Sequence, residues 1–180
     1  MAEAISDAEQ AHRAASDREQ VIWVDENDRP LGVLPRAQLR QRGLIGRGTF
    51  VLLQNSRDQF CVHQRTASKA TYPAYFDMFA GGMVAEGESY LCCAHRELEE
   101  ELGIKAEQLR EHGHFFFDGP GNRLWGAVFS TVSDQLPRAQ PEEVQRFWFV
   151  SLDELLEDIQ RRPFCPDSLQ AFELFCRNGR

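Results

Sequence analysis

The chain has 180 residues, of which 42% are hydrophobic, 11% aromatic and 27% charged, proportions that fit one globular domain with a sizeable core. Its net charge of −8 weighs against a nucleic-acid backbone or an anionic membrane as the main partner, and suits a protein that binds cations. No run approaches the ~18 apolar residues of a transmembrane helix, and the polar start "MAEAISDAEQAHRAASDREQ" has the make-up of neither a secretory signal nor a transit peptide.

Residues 1–19 read as a polar arm, a frayed helix or a disordered segment, ahead of one domain over 20–180. "VIWVDENDRPLGVLP" has two apolar runs around turn residues and predicts a hairpin. "RAQLRQRG" predicts a short helix closed by Gly43. "RGTFVLLQNSRDQFCVHQRT" predicts a second hairpin turning at Asn55–Asp58, and "YFDMFAGG" a strand ending in two glycines. A helix follows from Ser89, then a third strand pair, "REHGHFFFDG" and "RLWGAVFSTVSD". "QRFWFVSLDELLEDIQ" is a strand and a helix, with Ser151 as N-cap and Glu154 completing a capping box. "CPDSLQAFELFCRNG" closes the chain as a helix led by Pro166 and Asp167. The sum is an α/β (α+β) fold with a mixed sheet. Cys61, Cys92, Cys93, Cys165 and Cys176 form no C-x-x-C pair, and read as reduced thiols of a cytoplasmic protein with no structural zinc.

The helix after Ser89 carries four glutamates within five residues. At about 100° per residue Glu97, Glu100 and Glu101 share one face, Leu91, Leu98 and Leu102 form an apolar stripe, and Glu99 lies on neither. Three carboxylates near a helix C-terminus repel one another and meet an already negative dipole. Taken alone, such a run reads first as the solvated face of a surface helix, which is what most charge runs are. A hard divalent cation, Mg²⁺ or Mn²⁺, would remove the repulsion.

The wider spacing decides between these readings. Gly82, five residues, Glu88, seven residues, then Arg96-Glu97-Leu98-x-Glu100-Glu101-x-Gly103-Ile104 resembles the full Nudix signature, with every defined position filled. Including "PDSLQAF" near the end, the pattern is most similar to the YfcD-like, isopentenyl-diphosphate-isomerase-like branch of that family. The resemblance implies a Nudix-type α/β/α sandwich. It implies a Mg²⁺- or Mn²⁺-dependent pyrophosphohydrolase that cleaves a nucleoside diphosphate linked to another moiety, or a related organic pyrophosphate. It implies that Glu97, Glu100 and Glu101 hold the metal, and that Gly82, Glu88, Arg96 and Gly103 are mainly architectural. Family members often use a further acid from outside the box; Glu143, beside Glu142, stands at about that spacing, and an exposed loop acid is the competing reading. Arg65 and Lys69, with Gly82, are candidates to bind the diphosphate, Arg by its fork and Lys as a point charge. His63, His95, His112 and His114 are further candidates, with His95 read as packing. The partner implied is a small-molecule diphosphate, and many family members are homodimers. Two alternatives stand beside the hydrolase. One is a nucleotide-sensing module, which usually loses box glutamates that this chain keeps. The other is isopentenyl-diphosphate isomerisation, whose cysteine position reads Phe79-Ala80-Gly81-Gly82 here.

Overall fold

The computed structural model describes residues 5–178. The arm is a helix: α1, Asp7–Ser16, starts at Ser6, whose hydroxyl accepts from Glu9 N–H while Glu9 reaches back to it. Residues 1–4 of the predicted arm lie outside the described residues. β1 (Gln20–Val24) and β2 (Pro30–Pro35) form the first hairpin, and α2 (Arg36–Gln41) ends at Gly43 with φ 60°.

The second hairpin is where the sequence expectation and the structure part. β3 (Ile45–Gln54) and β4 (Phe60–Arg65) do turn at Asn55, whose carboxamide oxygen accepts from the N–H groups of Arg57 and Gln59. They pair only at Gln54↔Phe60 and then splay apart. Both strands are buried along nearly their whole length, so each needs its own neighbours. β3 lies antiparallel to β1 and parallel to β8 (Asn122–Val132), which pairs with β7 (Arg110–Gly119). β4 lies antiparallel to β9 (Val144–Val150). The predicted strand "YFDMFAGG" bridges the gap in two pieces: β5 (Phe76–Asp77) pairs with β4 and β6 (Phe79–Ala80) with β3.

Alternation along β3 builds the sandwich. Val51 and Leu53 meet Ala94, Leu98 and Leu102 of α3 (Tyr90–Leu102). Phe50 and Leu52 face the opposite layer, with Leu155 of α4 (Leu152–Arg161) and Phe172 and Phe175 of α5 (Pro166–Asn178). The α/β/α architecture expected from the resemblance is therefore present. The apolar stripe of α3 differs from expectation at one end. Leu91, in the first turn, is exposed, and the small Cys93 and Ala94 join Leu98 and Leu102 on the buried face. Small residues there let the helix lie close on the sheet.

Candidate active site

Gly81 and Gly82 leave β6 where backbone must pass backbone. A Cβ on Gly81 would stand 1.8 Å from the Thr49 carbonyl oxygen, and one on Gly82 2.2 Å from Glu97 Oε1. Beyond them residues 83–85 run along β3 and β1, with Val84 N–H bonded to the Arg47 carbonyl and Ile22 N–H to that of Val84. Arg96 grips Glu88 with both arms of its fork, Nε to Oε1 at 2.7 Å and Nη2 to Oε2 at 2.9 Å. Glu88 Oε2 also accepts from Ala85 N–H, so the loop is tied to α3. Arg96 Nη1 then donates to Glu97 Oε1 and Glu100 Oε2 at 2.7 and 3.0 Å. The helix stops at Gly103, φ 65°.

Glu97, Glu100, Glu101 and Glu143 line one cavity of about 320 Å³, together with Gly81 and Gly82. The four carboxylates differ in setting. Glu101 is 3% exposed and accepts from Gly81 N–H, while Glu100 is 53% exposed. Burial, then the neighbouring Glu143, pushes Glu101 well above the usual carboxylate range, and burial raises Glu97 as well. Burial acts the same way on Glu143, but the charge of Lys69 and the hydrogen bonds that Glu143 receives outweigh it, and Glu143 lies far below its ordinary value. Lys69 is ion-paired with Glu143 and stands 3.8 Å from Glu101 Oε1.

Among the described residues, no three His, Cys, Asp or Glu side chains already converge as metal ligands. Arg96 holds Glu97 and Glu100, and Lys69 holds Glu101 and Glu143. The chemistry of the set still fits a hard divalent cation, because every acidic donor is a carboxylate oxygen. The two side-chain cations show where positive charge is favoured.

The structure separates the other candidates. Glu143 faces the cavity; Glu142 does not, and its carbonyl instead accepts from Thr66. Lys69 is in the acidic cavity. Arg65 is not: it donates to the Thr71 and Tyr72 carbonyls, lies 3.8 Å from Asp77, and lines a second cavity. His63 is buried and pushed down to about 4 by that burial, and His112 bonds Ser130; neither lines the acidic cavity, nor do His95 and His114. Cys61 packs in the core beneath α3.

Two residues of this site went unread in the sequence. His12 of α1 places Nε2 2.7 Å from Glu143 Oε1. Arg36 of α2 lines both cavities while donating to Ser16 and Glu19. The S-x-x-E start of α1 was legible as a helix signal, but nothing local in the sequence says where that helix docks.

An α/β/α sandwich whose box helix lays buried carboxylates beside a double-glycine turn defines a Nudix-type domain. Residues 44–173 match the NUDIX domain family, and the chain belongs to that family of hydrolases. It is 62% identical over 165 residues to the Nudix hydrolase PA4841 of Pseudomonas aeruginosa, covering 92% of this chain and 98% of that one. It is 34% identical over 167 residues to the Nudix hydrolase YfcD of Escherichia coli K12, covering 93% and 92%. Among solved structures it resembles DR0079 of Deinococcus radiodurans, with TM-score 0.74 and 26% identity over 90% of this chain and 100% of that one. His12, Glu19 and Arg36 line the acidic cavity and precede the matched span.

Proposed function

We propose that the chain is a Mg²⁺- or Mn²⁺-dependent pyrophosphohydrolase acting on a nucleoside diphosphate linked to another moiety, or on a related organic pyrophosphate. The observation that carries this reading is the crowding of Glu97, Glu101 and Glu143, all largely buried, into one cavity beside Gly82. Among the described residues, Glu97, Glu101 and Glu143 share only the fixed charges of Arg96 and Lys69, and buried carboxylate charge in excess of its partners is costly. Glu97, Glu100 and Glu101, with Glu143 beside them, would hold the cation. When bound, it supplies Lewis-acid polarisation of phosphoryl oxygens and acidifies water.

The chain's own residues account for the rest. Lys69 and Arg36 face the acidic cavity and are placed to bind diphosphate oxygens, so Lys69 exchanges carboxylate partners for phosphate. The Gly82 backbone leaves room for close approach. Water attacks phosphorus, the bond from phosphorus to the bridging oxygen breaks, and Glu143, released from Lys69 and so more basic than in the free protein, takes the proton. His12 fixes one Glu143 oxygen, and Lys69 holds the other until phosphate takes it.

The test is monophosphate or phosphate release from a panel of nucleoside di- and triphosphates, ADP-ribose, NADH, coenzyme A, nucleotide sugars and isopentenyl diphosphate, with each metal. The reading requires turnover of a panel member that Glu101→Gln lowers by about 10²-fold or more. Equal turnover by the two proteins would end it.

A further inference from the structure

At Gly81, Gly82 and Arg36 the acidic cavity meets a second cavity of about 310 Å³. Leu39, Phe50, Phe79 and Leu124 give it apolar walls. Asp77, Asp167 and Ser168, all buried, bring polar groups to the same wall. Asp77 is matched: Oδ1 accepts from Phe79 N–H at 3.0 Å and Oδ2 lies 3.8 Å from Arg65.

Asp167 is not fully matched. One oxygen accepts from Asn122 Nδ2 at 2.7 Å and the other from Ser168 N–H at 2.9 Å, and no cation pairs with it among the described residues. A carboxylate has about four acceptor positions, so roughly half of this one's capacity is unused. The adjacent Ser168 hydroxyl is buried with no hydrogen-bond partner. Burial raises Asp167 to about 6, so at neutral pH it remains an acceptor-only carboxylate.

These groups restrict what can fill the cavity. An aliphatic chain would leave the spare acceptor positions of Asp167 and the Ser168 hydroxyl unused, and a carbonyl facing Asp167 would set acceptor against acceptor. A full cation would meet Arg36, Arg65 and Arg123, which line the same cavity. A neutral amine on a flat ring satisfies both halves, its faces on the apolar walls and its edge donating.

We propose that the second cavity receives the non-phosphate part of the substrate as a heteroaromatic ring bearing an exocyclic amine, which donates to Asp167. The assignment rests on the pyrophosphohydrolase reading, since the acidic cavity would hold the other end of the molecule.

The test is calorimetric binding to the full chain in Mg²⁺ of α,β-methylene diphosphates, in which CH₂ replaces the bridging oxygen and prevents turnover. Adenosine is compared with inosine, and cytidine with uridine, because each pair exchanges the amine for a carbonyl. The amine member should bind at least about tenfold tighter in each pair, the ratio expected for a bond to a charged group. Asp167→Asn should bring both ratios to within about twofold. The ratio in the unaltered protein carries the test whatever the substitution does to stability. Ratios near one, tighter binding of the carbonyl members or of isopentenyl diphosphate, or no binding of any of the four would each overturn the assignment. Turnover of any organic diphosphate that is lost in Glu101→Gln would still uphold the reading beneath it, so the two fail separately.

Discussion

Asp167 carries a stability cost that can be measured. Its carboxyl lies at about 6 in the fold, against an ordinary 3.8, because burial and then Asp77 disfavour the charge. Arg65, Asn122 and the Ser168 N–H act in the opposite direction. The sign follows: between about pH 4 and 6 the native state binds more protons than the unfolded chain, so stability falls as pH rises through that window. The loss amounts to about 3 kcal/mol above it. Asp167→Asn should therefore melt higher than the unaltered protein at pH 7 and about equally at pH 4, as followed by thermal unfolding at both. We take His12, bonded to Glu143, as a positioning residue at the same scale. His12→Ala should lower kcat by about tenfold with KM little changed. The loss should vanish in a Glu143→Gln background, whereas a general loosening of α1 would persist there.

At the scale of elements, the turn between β6 and α3 separates folding from function. Gly81→Ala drives a Cβ against the Thr49 backbone, which has no easy way to move, and should cost about 1–3 kcal/mol of stability. Gly82→Ala drives a Cβ against the end of the Glu97 side chain, which can swing away. It should keep most of the melting temperature and lose turnover, because the displaced group is a proposed metal ligand. The box helix was the most legible element in the sequence. Its start at Ser89 was legible, and the architectural places that the resemblance gives Glu88, Arg96 and Gly103 correspond to a Glu88–Arg96 fork and a left-handed stop at Gly103. The splaying of β3 and β4 was not legible, since a local turn signal at Asn55 cannot report that two largely buried strands choose different partners. Nor could the period alone tell that Leu91 is exposed while Glu101 is buried with the helix's apolar face.

Across the whole molecule, the site joins segments far apart in the chain. Glu143 precedes β9, Lys69 follows β4, and His12 and Arg36 come from before the family domain. The glutamates of the box could be picked out through the resemblance to the family signature, and Glu143 only as a candidate beside the reading of an exposed loop acid. The docking of α1 could not, because the described part of that helix buries no residue, and Arg36–Ser16 and Arg40–Asp17 contacts tie its end to α2. Of Arg65 and Lys69, four residues apart, only Lys69 lines the acidic cavity. Among the described residues no helix is long and apolar enough to cross a membrane.

The measurement that bears most directly on the central claim is thermal unfolding with and without millimolar Mg²⁺ for the unaltered chain, Glu101→Gln and Glu99→Gln. If the crowded carboxylates hold Mg²⁺, binding stabilises the fold by about 2.7 kcal/mol at a hundredfold excess over Kd. That corresponds to a rise of roughly 5–10 °C for a chain of this size. The account expects that rise in the unaltered protein and in Glu99→Gln, and little or none in Glu101→Gln. A melting temperature flat across metal, or an equal rise in Glu101→Gln, would contradict it.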